Sequence, residues 1–444
     1  MSGIGRLLVF VVMILNCPGI GAAADHESGG GRGWYKGNTH CHSLWSDGDE
    51  FPEMAAEWYK SHGYHFLALS DHNLLMRGQR WHNVHDRDQP VAPPVIEKCR
   101  QRFGPSAVET RGEGQQLQVR LKTFEEVRAI VQEPAKFVMI EAQEINGKCG
   151  EWQVHLNAIQ HADPLDFQAA GDVVESFRVN LRAVADQAAR LTRPVAVHLN
   201  HPSWPHYHVT AEDLAELTEV RAFELCNASQ GANRFGDAHH PSLDRMWDIA
   251  NTLRITEHKS PPLLAVASDD AHHYQQFAPE KANPGRGFIM VRAERLAADA
   301  ITAAFNAGDF YASTGVVLRE LHYDRKNATL RVAVEAQAGV NYTIEFIGTP
   351  ADFDPSRSPV DVPPKDGKPQ RPVFRYSDDI GKVLARVEGA EASYRLSGKE
   401  LYVRAVVRSD RRMANPPAGE SQVEEAWCQP VGWEKWLAPP ATRP

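Results

Sequence analysis

Short apolar runs recur along the first two thirds of the chain, and each contains or ends in residues whose side chains can bind metal. These residues are His40 and His42, Asp71 and His72, Glu141 and Glu144, His155, His198 and His201, and Asp269, Asp270 and His272. A buried parallel strand typically has such a run, and in barrel enzymes its C-terminal end opens onto the active site. The pattern therefore predicts several strands that deliver carboxylates and imidazoles to one mouth.

Between these runs, apolar residues recur at helical spacing. We predict helices over 52 to 62, 124 to 132, 179 to 191, 210 to 217, 241 to 254 and 296 to 307, and strands near 34 to 42, 65 to 70, 194 to 199, 221 to 225 and 263 to 268. Pro52 suits the first position of a helix and Gly63 the position after its end. This alternation predicts a parallel α/β architecture that closes near residues 309 to 315.

The pattern changes after about residue 320, where apolar and polar residues alternate. Apolar residues occupy every second position at Leu330, Val332 and Val334, and again at Leu401, Val403, Ala405 and Val407. Period two predicts half-buried antiparallel strands. The seven prolines between residues 350 and 372 exclude a central strand there. We predict a small β-sandwich-like domain over residues 319 to 444.

Residues 74 to 136 show little strand pattern and many charged, Trp, His and Pro residues. A segment of this length inside a compact domain is usually functional, which suggests a lid or a substrate wall. A solvated decoration is the equally open alternative.

The N-terminus has the order of a secretory signal peptide. Arg6 precedes an apolar run from Leu7 to Leu15, and three alanines end at Ala24 before a polar residue. We predict a signal peptide over residues 1 to 24, a flexible Gly-rich segment over 25 to 33, and export to the periplasm or outside the cell. No later stretch is apolar enough to cross a membrane. Export permits disulfides, so a pairing of Cys99 with Cys149 stays open.

Length and charge narrow the functional class. A chain of 444 residues is long enough for two domains. The formal net charge of −9 argues against a nucleic-acid polymer as a partner, because binding to the phosphate backbone needs a basic face. The sequence leaves the oligomeric state open.

The densest candidate chemistry lies in the stretch from Asn38 to Gly48. Successive side chains of a strand face opposite ways, so His40 and His42 share one face and can converge on one ion, while Cys41 faces the other way. Asp270 and His272 are also two residues apart and can share a face in the same manner.

Taken in order, these motifs resemble those of the PHP (polymerase and histidinol phosphatase) superfamily of metal-dependent hydrolases. The resemblance extends over residues 34 to 318 and is carried by His40-x-His42, Ser46-Asp47-Gly48, Asp71-His72-Asn73, Glu144, His155, His201-Pro202 and Asp270-x-His272. It is greatest to the secreted members related to carbaryl hydrolase. The resemblance implies a distorted (β/α)7 PHP barrel over 34 to 318, with 74 to 136 as an insertion, before the small all-β domain.

The resemblance also implies a set of metal ligands. His40, His42, Glu144 and Asp270 would surround one ion. Glu144 would bridge to a second ion held by His155 and His201. Asp47, His72 and His272 would hold a third, although some relatives have a histidine in place of Asp47. The cofactor would thus be two or three divalent ions, and a mixed nitrogen and oxygen ligand set suits manganese, zinc or iron.

Several further residues are candidates for supporting roles. Asp71 and Asn200 are placed to fix ligand imidazoles. Glu141 competes with Glu144 for the bridging role, and Glu224 either touches the site or is structural. The remaining candidates are pocket or surface histidines, namely His206, His208, His239, His240 and His273.

The predicted reaction is hydrolysis by a water that bridges two ions and loses its proton near neutral pH. Glu144, with Asp270 and His272, would hold that nucleophile. The leading substrate is a small phosphomonoester or phosphodiester, anchored by the candidate arginines Arg77, Arg80, Arg234 and Arg286. The rival is a carbamate, carboxylic ester or amide, bound by the aromatic candidates Trp81, Trp204, Phe235 and Tyr274. A third hypothesis is a non-catalytic surface-binding protein.

Overall fold

The computed structural model describes residues 32–229, 231–365, 367–418 and 422–437. In this part of the chain the α-helices run over Pro52–Ser61 (α1), Pro93–Phe103 (α2), Phe124–Val131 (α3), Val173–Ala188 (α4), Ala211–Glu216 (α5), Leu243–Thr256 (α6) and Ala298–Ala307 (α7). Short 3-10 turns occupy Pro105–Ala107, Gly114–Gln116 and Glu434–Trp436.

The strands of the first two thirds of the chain are Gly33–Asn38 (β1), Phe66–Leu69 (β2), Arg80–Asn83 (β3), Thr110–Arg111 (β4), Gln118–Leu121 (β5), Val138–Cys149 (β6), Trp152–Ile159 (β7), Ala196–Leu199 (β8), Ala222–Asn227 (β9), Leu264–Ser268 (β10), Phe288–Ala293 (β11) and Phe310–Ser313 (β12). The later strands are Leu318–Asp324 (β13), Thr329–Val334 (β14), Tyr342–Pro350 (β15), Arg357–Val360 (β16), Val373–Tyr376 (β17), Lys382–Glu388 (β18), Glu391–Arg395 (β19), Glu400–Arg412 (β20) and Val423–Cys428 (β21).

One large mixed sheet runs through most of the described chain. Its thirteen strands follow the order β10-β9-β8-β7-β6-β2-β1-β11-β12-β21-β20-β15-β18. The pairs β1–β2, β2–β6, β8–β9 and β9–β10 are parallel. Beyond their ends, β1 and β10 meet at a parallel bridge between Cys41 and Ala271. A mixed α/β class is thus confirmed, whereas the seven-stranded barrel and a separate all-β domain remain predictions.

Strands β6 and β7 depart from the predicted parallel alternation. They form an antiparallel hairpin in which Asn146 lies opposite His155, and β7 is also antiparallel to β8. A parallel crossover needs a dozen or more residues, but only Gly150 and Glu151 separate these two strands. Gly150 has a φ of +59°, which suits the tight turn. His155 therefore lies within an antiparallel strand instead of at the end of a parallel one.

Helix boundaries follow their capping residues. Helix α4 begins six residues before the predicted start because the Asp172 side chain accepts a hydrogen bond from the Glu175 amide. Helix α1 begins at Pro52 as predicted, and Gly63, two residues after its end, has a φ of +75°.

The 74 to 136 segment has a structure of its own. In it, β3, β5 and β4 form a small antiparallel sheet, and Lys122 forms an ion pair with Glu53 of α1.

The C-terminal strands continue the main sheet and add two small ones. Strand β12 pairs with β21, while β13–β14–β19 and β16–β17 form separate antiparallel sheets. The prolines between 350 and 372 allow only the short β16–β17 ribbon, as the exclusion of a central strand predicted. The Gln429 side chain exchanges two hydrogen bonds with the backbone of Ala265, at 2.8 and 2.9 Å, and so holds β10.

Several predictions concern segments with little or no structural description. The signal peptide over 1 to 24 and most of the flexible segment lie outside the described residues. Among the described residues, none of the helices has the length and apolar character needed to span a membrane.

Cys99 and Cys149 are free and do not pair with each other. The Cys99 thiol lies 3.5 Å from a Glu53 oxygen, and the Cys149 thiol lies 3.6 Å from the Ala170 carbonyl.

A buried ion pair joins α6 to β20. The Asp248 carboxylate accepts hydrogen bonds from Arg404 at 2.8 and 2.6 Å and from the Tyr402 hydroxyl at 2.7 Å, and both charged side chains are almost fully buried. Gly381 approaches the same carboxylate so closely that an added Cβ would lie 2.4 Å from its Oδ2. The ion pair is therefore also closely packed against the backbone of Gly381.

We expect Asp248→Asn to lower the free energy of unfolding by about 3 kcal/mol, because it leaves the buried Arg404 charge with only the more distant Asp244 carboxylate, 3.7 Å away. Urea unfolding in the presence of a chelator measures the change. The double variant Asp248→Leu with Arg404→Met should recover much of the loss. Glu391→Gln breaks an exposed pair with Arg319 and should change stability by less than about 1 kcal/mol. Equal effects of Asp248→Asn and Glu391→Gln would contradict this account.

Candidate metal centre

The first two histidines of the centre follow strand β1, and a tight turn brings a carboxylate back to them. His40 and His42 are fully buried. The amides of Ser46 and Gly48 both donate to the Ser43 carbonyl, at 3.0 Å. A Cβ on Gly48 would lie 2.7 Å from the backbone of His42, so only glycine permits this turn. The turn places Asp47 over the histidines.

Nine side chains with metal-binding atoms converge on one cleft, and the structure sorts them into three groups. We call His40, His42 and Asp270 the inner group, and Glu144, His155 and His201 the hairpin group. The outer group consists of His42, Asp47, His72 and His272. Within each group the possible ligand atoms all lie within 4.8 Å of one another. The structure thus brings together all nine residues that the resemblance implied as ligands.

Glu144 lies between these groups and faces them with different oxygens. Its Oε1 lies 3.0 Å from Nδ1 of His155 and 3.4 Å from Nε2 of His201. Its Oε2 lies 2.6 Å from Nδ1 of His72, 3.5 Å from Nε2 of His40 and 3.6 Å from Nε2 of His42. A carboxylate in this position can bridge two cations.

Asp270 supplies the carboxylate of the inner group. Its Oδ1 lies 3.1 Å from Nε2 of His42 and 3.2 Å from Nε2 of His40. The backbone at Asp270 has a φ of +48°, which non-glycine residues rarely adopt. Its amide donates to the His40 carbonyl at 2.9 Å, and this contact holds the unusual turn in place.

The outer group is more accessible to solvent than the other two. The Asp47 side chain is 55% exposed, and its oxygens lie 3.3 Å from His272 Nε2 and 3.4 Å from His72 Nε2. The rings of His72 and His272 flank the ring of His42 at centroid distances of 4.3 and 4.2 Å.

Electrostatics keep the carboxylates charged. Burial alone would raise the pKa of Glu144, but the imidazoles of His72, His40 and His155 lower it well below its usual value. The Asp270 carboxyl is also buried, and the imidazoles around it likewise lower its pKa well below the usual value. Burial and the neighbouring histidines lower the pKa of His42 to about 4. At neutral pH Glu144, Asp270 and His42 therefore have the protonation states that bind metal. Burial would lower the pKa values of His72 and His272, but nearby carboxylates, Asp47 among them, raise both.

The residues present fit divalent cations. Three buried atoms that face the centre, His40 Nε2, His72 Nδ1 and Glu144 Oε2, form no hydrogen bond of acceptable geometry, although the last two lie only 2.6 Å apart. Buried polar atoms are rarely left in this state without an ion or water. Burial disfavours protonated His40, yet Asp270, Glu224 and Glu144 together raise its pKa well above the usual value. The centre thus has a surplus of negative charge that a cation can balance.

The two predicted supporting residues contact the centre in different ways. The Asp71 carboxylate accepts hydrogen bonds from the Ser43 amide and hydroxyl and from Ser46 Oγ, and Ser46 Oγ lies 3.4 Å from His42 Nδ1. Asp71 therefore reaches an imidazole only through a serine. The Asn200 amide donates at 2.8 Å to Glu144 Oε1, so it fixes a carboxylate and not an imidazole.

The candidate arginines do not line the cleft. Arg77 pairs with Glu141, and Arg80 lies over the ring of Trp45. Arg234 is buried against Asp244 and Glu425, and Arg286 donates to backbone carbonyls in the interior. These contacts occupy the guanidinium groups in structural roles, which the sequence could not reveal.

The cleft has a volume of about 480 Å³. Seven of the nine ligand-type residues, all except His40 and His42, line it. The rest of its described lining consists of Asn146, Lys148, Gln153, Trp204, Ser229, His273 and Ala282. Of the predicted pocket residues, only Trp204 and His273 belong to this lining. Lys148 and Asn146 were not predicted as lining residues. Side chains alternate between the two faces of a strand, so both lie on the same face of β6 as Glu144. No residue of the 74 to 136 segment belongs to the described lining.

Several solved structures are similar to this chain, and the following two are examples. A two-domain protein from Bacteroides vulgatus, containing a predicted PHP-like metal-dependent phosphoesterase, has 13% sequence identity and a TM-score of 0.38, over 90% of this chain and 96% of its own. A candidate metal-dependent phosphoesterase from Bifidobacterium adolescentis has 13% identity and a TM-score of 0.30, over 53% of this chain and 87% of its own. Neither a protein-family model nor a curated protein matches the chain. The first description names the PHP class that the motifs resemble and the second names a metal-dependent phosphoesterase. Similarities of this size assign neither an activity nor a residue role to this chain, and the carbaryl hydrolase branch stays a prediction.

We expect Glu144→Gln to weaken metal binding. Loss of a residue that merely supports a ligand typically costs about 10–100-fold in metal affinity, and loss of a bridging carboxylate should cost at least as much. Elemental analysis after dialysis, with competition against a metal indicator, measures the change. Glu141→Gln is the matched control, because Glu141 lies on the same strand and pairs with Arg77 at the surface. Full ion content in Glu144→Gln would contradict this assignment.

Proposed function

We propose that this chain is a metal-dependent hydrolase and that its substrate is a small phosphate ester. One observation carries the proposal: the two oxygens of Glu144 face different sets of imidazoles in an open cleft, and Asp270 adds a second carboxylate beside His40 and His42. The inner, hairpin and outer groups would hold two or three ions. A mixed nitrogen and oxygen set suits manganese, zinc or iron and does not select among them.

When bound, such ions lower the pKa of a coordinated water and neutralise charge on the substrate oxygens. The chain's own residues supply the positioning. Asn200 holds one oxygen of Glu144 at 2.8 Å, so the carboxylate cannot turn away from the hairpin group. His72 and His272 both line the cleft, next to the ring of His42, and the substrate would bind beside them.

The wall of the cleft supplies a cation for an anionic substrate. Asn146 and Lys148 follow Glu144 on the same face of β6, and Lys148 lies opposite Gln153. This row runs from the buried carboxylate outward to the exposed lysine. A phosphate ester at the centre would have its outer oxygens near the row, where the lysine ammonium offers a charge-assisted hydrogen bond.

Hydrolysis of a carbamate, carboxylic ester or amide is the second candidate. The Trp204 ring lies 5.2 Å from His201 and 5.8 Å from His155 between ring centroids, at the rim of the cleft. Lys148 is the one Lys or Arg side chain in the described lining. An aromatic wall with a single cation also suits a neutral aryl substrate.

The proposal also includes the finer organisation of the chain. Residues 34 to 318 would form the distorted seven-stranded barrel and residues 319 to 444 an all-β domain, with export directed by residues 1 to 24. The Cys41–Ala271 bridge supports closure of the barrel, since it joins the segment after β1 to the segment after β10.

We expect chelator-sensitive hydrolysis of p-nitrophenyl phosphate or bis-p-nitrophenyl phosphate by the purified protein loaded with manganese or zinc. His42→Ala and Asp270→Ala should each lower turnover by about 100-fold or more, because each removes a ligand. Their unfolding in chelator should stay cooperative. Release from an aryl carbamate or aryl acetate alone would move the assignment to the second candidate. Bound ions without turnover on any of these esters would contradict the proposed function.

We expect Lys148→Ala to raise KM for p-nitrophenyl phosphate by about tenfold with little change in kcat, since a hydrogen bond to a charged group contributes about 1.5 kcal/mol. Steady-state kinetics at low and high salt should show a smaller effect at high salt. Lys382→Ala, at an exposed lysine paired with Asp379, serves as the control. An unchanged KM in Lys148→Ala would remove the lysine from substrate binding.

A further inference from the structure

Glu224 is a fully buried carboxylate in strand β9, beneath the metal centre. Its Oε1 accepts hydrogen bonds from His40 Nδ1 at 2.7 Å and from the Ser268 hydroxyl at 2.5 Å. Its Oε2 accepts from the His201 amide and from the Asn227 side chain, both at 2.8 Å. Four donors thus surround one carboxylate, which is the pattern expected of an ionised group.

The contact with His40 determines which ring nitrogen is available to a metal. An ionised carboxylate can only accept, so Nδ1 of His40 carries the proton and donates it to Glu224. In the neutral ring that would bind a metal, the lone pair then lies on Nε2, the atom that faces Glu144 and Asp270 without a hydrogen-bond partner. Glu224 therefore fixes both the tautomer and the direction of His40.

Glu224 also contacts a residue of the hairpin group, His201, and through Asn227 a further residue of the inner group, Asp270. The amide it binds belongs to His201, where the backbone has a φ of +22°. Asn227, which donates to Glu224, also donates to Asp270 Oδ2 at 3.2 Å. None of the contacts described for Glu224 reaches the three residues found only in the outer group, Asp47, His72 and His272.

We propose that Glu224 is the positioning residue of the centre, which sets His40, His201 and, through Asn227, Asp270 in place for metal. This inference rests on the proposed metal-dependent function and deepens it. Loss of Glu224 weakens the inner and hairpin groups together and spares the outer group. A carboxylate that served only to fill the core would produce no such selectivity.

Glu224→Gln tests the proposal, because glutamine keeps the volume but loses the charge and turns one acceptor into a donor. The full-length protein is stripped with chelator and titrated with Zn²⁺ alone, in competition with a metal indicator. We expect Glu224→Gln to lose about 10–100-fold in affinity at the same ions that His40→Ala loses. Asp47→Ala should weaken a different ion, and the two effects should add in the double variant.

Two further variants separate positioning from a general loss of structure. Glu400→Gln alters another buried carboxylate, which accepts hydrogen bonds from Tyr394, Ser397 and Gly398 away from the centre, and it should bind all ions normally. If Glu224→Gln does not fold, as judged by its unfolding in chelator, Asn227→Ala replaces it and should weaken the inner group alone.

Zinc affinities in Glu224→Gln within twofold of the wild-type values would overturn the inference, and so would an equal loss in Glu400→Gln. Failure of the proposed function looks different, because the wild-type protein would then bind ions and hydrolyse none of the test esters while the effect of Glu224→Gln persisted. A wild-type protein that binds no zinc would overturn the centre and the inference together.

Discussion

Burying a carboxylate without charge compensation or hydrogen bonds costs several kcal/mol, and this chain buries Glu144, Glu224 and Asp270 side by side. Imidazoles, amides and hydroxyls surround all three, and their pKa values are lowered instead of raised. The arrangement of the strands makes it possible to bury these charges together. Strands from across the sheet, and the segments that follow them, contribute side chains to one place, so each carboxylate finds donors on several elements that lie far apart in the sequence.

Much of the centre could be predicted from the sequence because its geometry is local. A spacing of two residues places His40 with His42 on one side of an extended segment. The same spacing pointed to Asp270 and His272, although the backbone turns at Asp270 with a φ of +48° and the two side chains belong to different groups. Most helices were also located within a few residues of their ends, since apolar periodicity and caps such as Pro52 are local signals. The mixed α/β class follows from the alternation of these two signals.

The remainder depended on contacts between distant residues. From the sequence, Arg286 was a candidate to bind an anionic substrate. In the structure its guanidinium donates to backbone carbonyls in the interior. The role of Glu224 becomes visible only when β9 lies beside the segment after β1. The β6–β7 hairpin is a different case, because the short separation of the two runs already excluded a parallel crossover. Because each apolar run was interpreted as a parallel strand, the hairpin was not predicted. The row of side chains that runs from Glu144 through Asn146 to Lys148 was therefore not recognised either.

The uneven burial of the three groups has a kinetic consequence. An ion held by the inner or hairpin group would be enclosed by buried side chains, whereas an ion in the outer group would touch Asp47, whose carboxylate is 55% exposed. Water and salt screen an exposed charge far more than a buried one. The outer ion would therefore exchange faster with the surroundings. Its occupancy would follow the free metal concentration, while the enclosed ions would stay with the protein through many catalytic cycles.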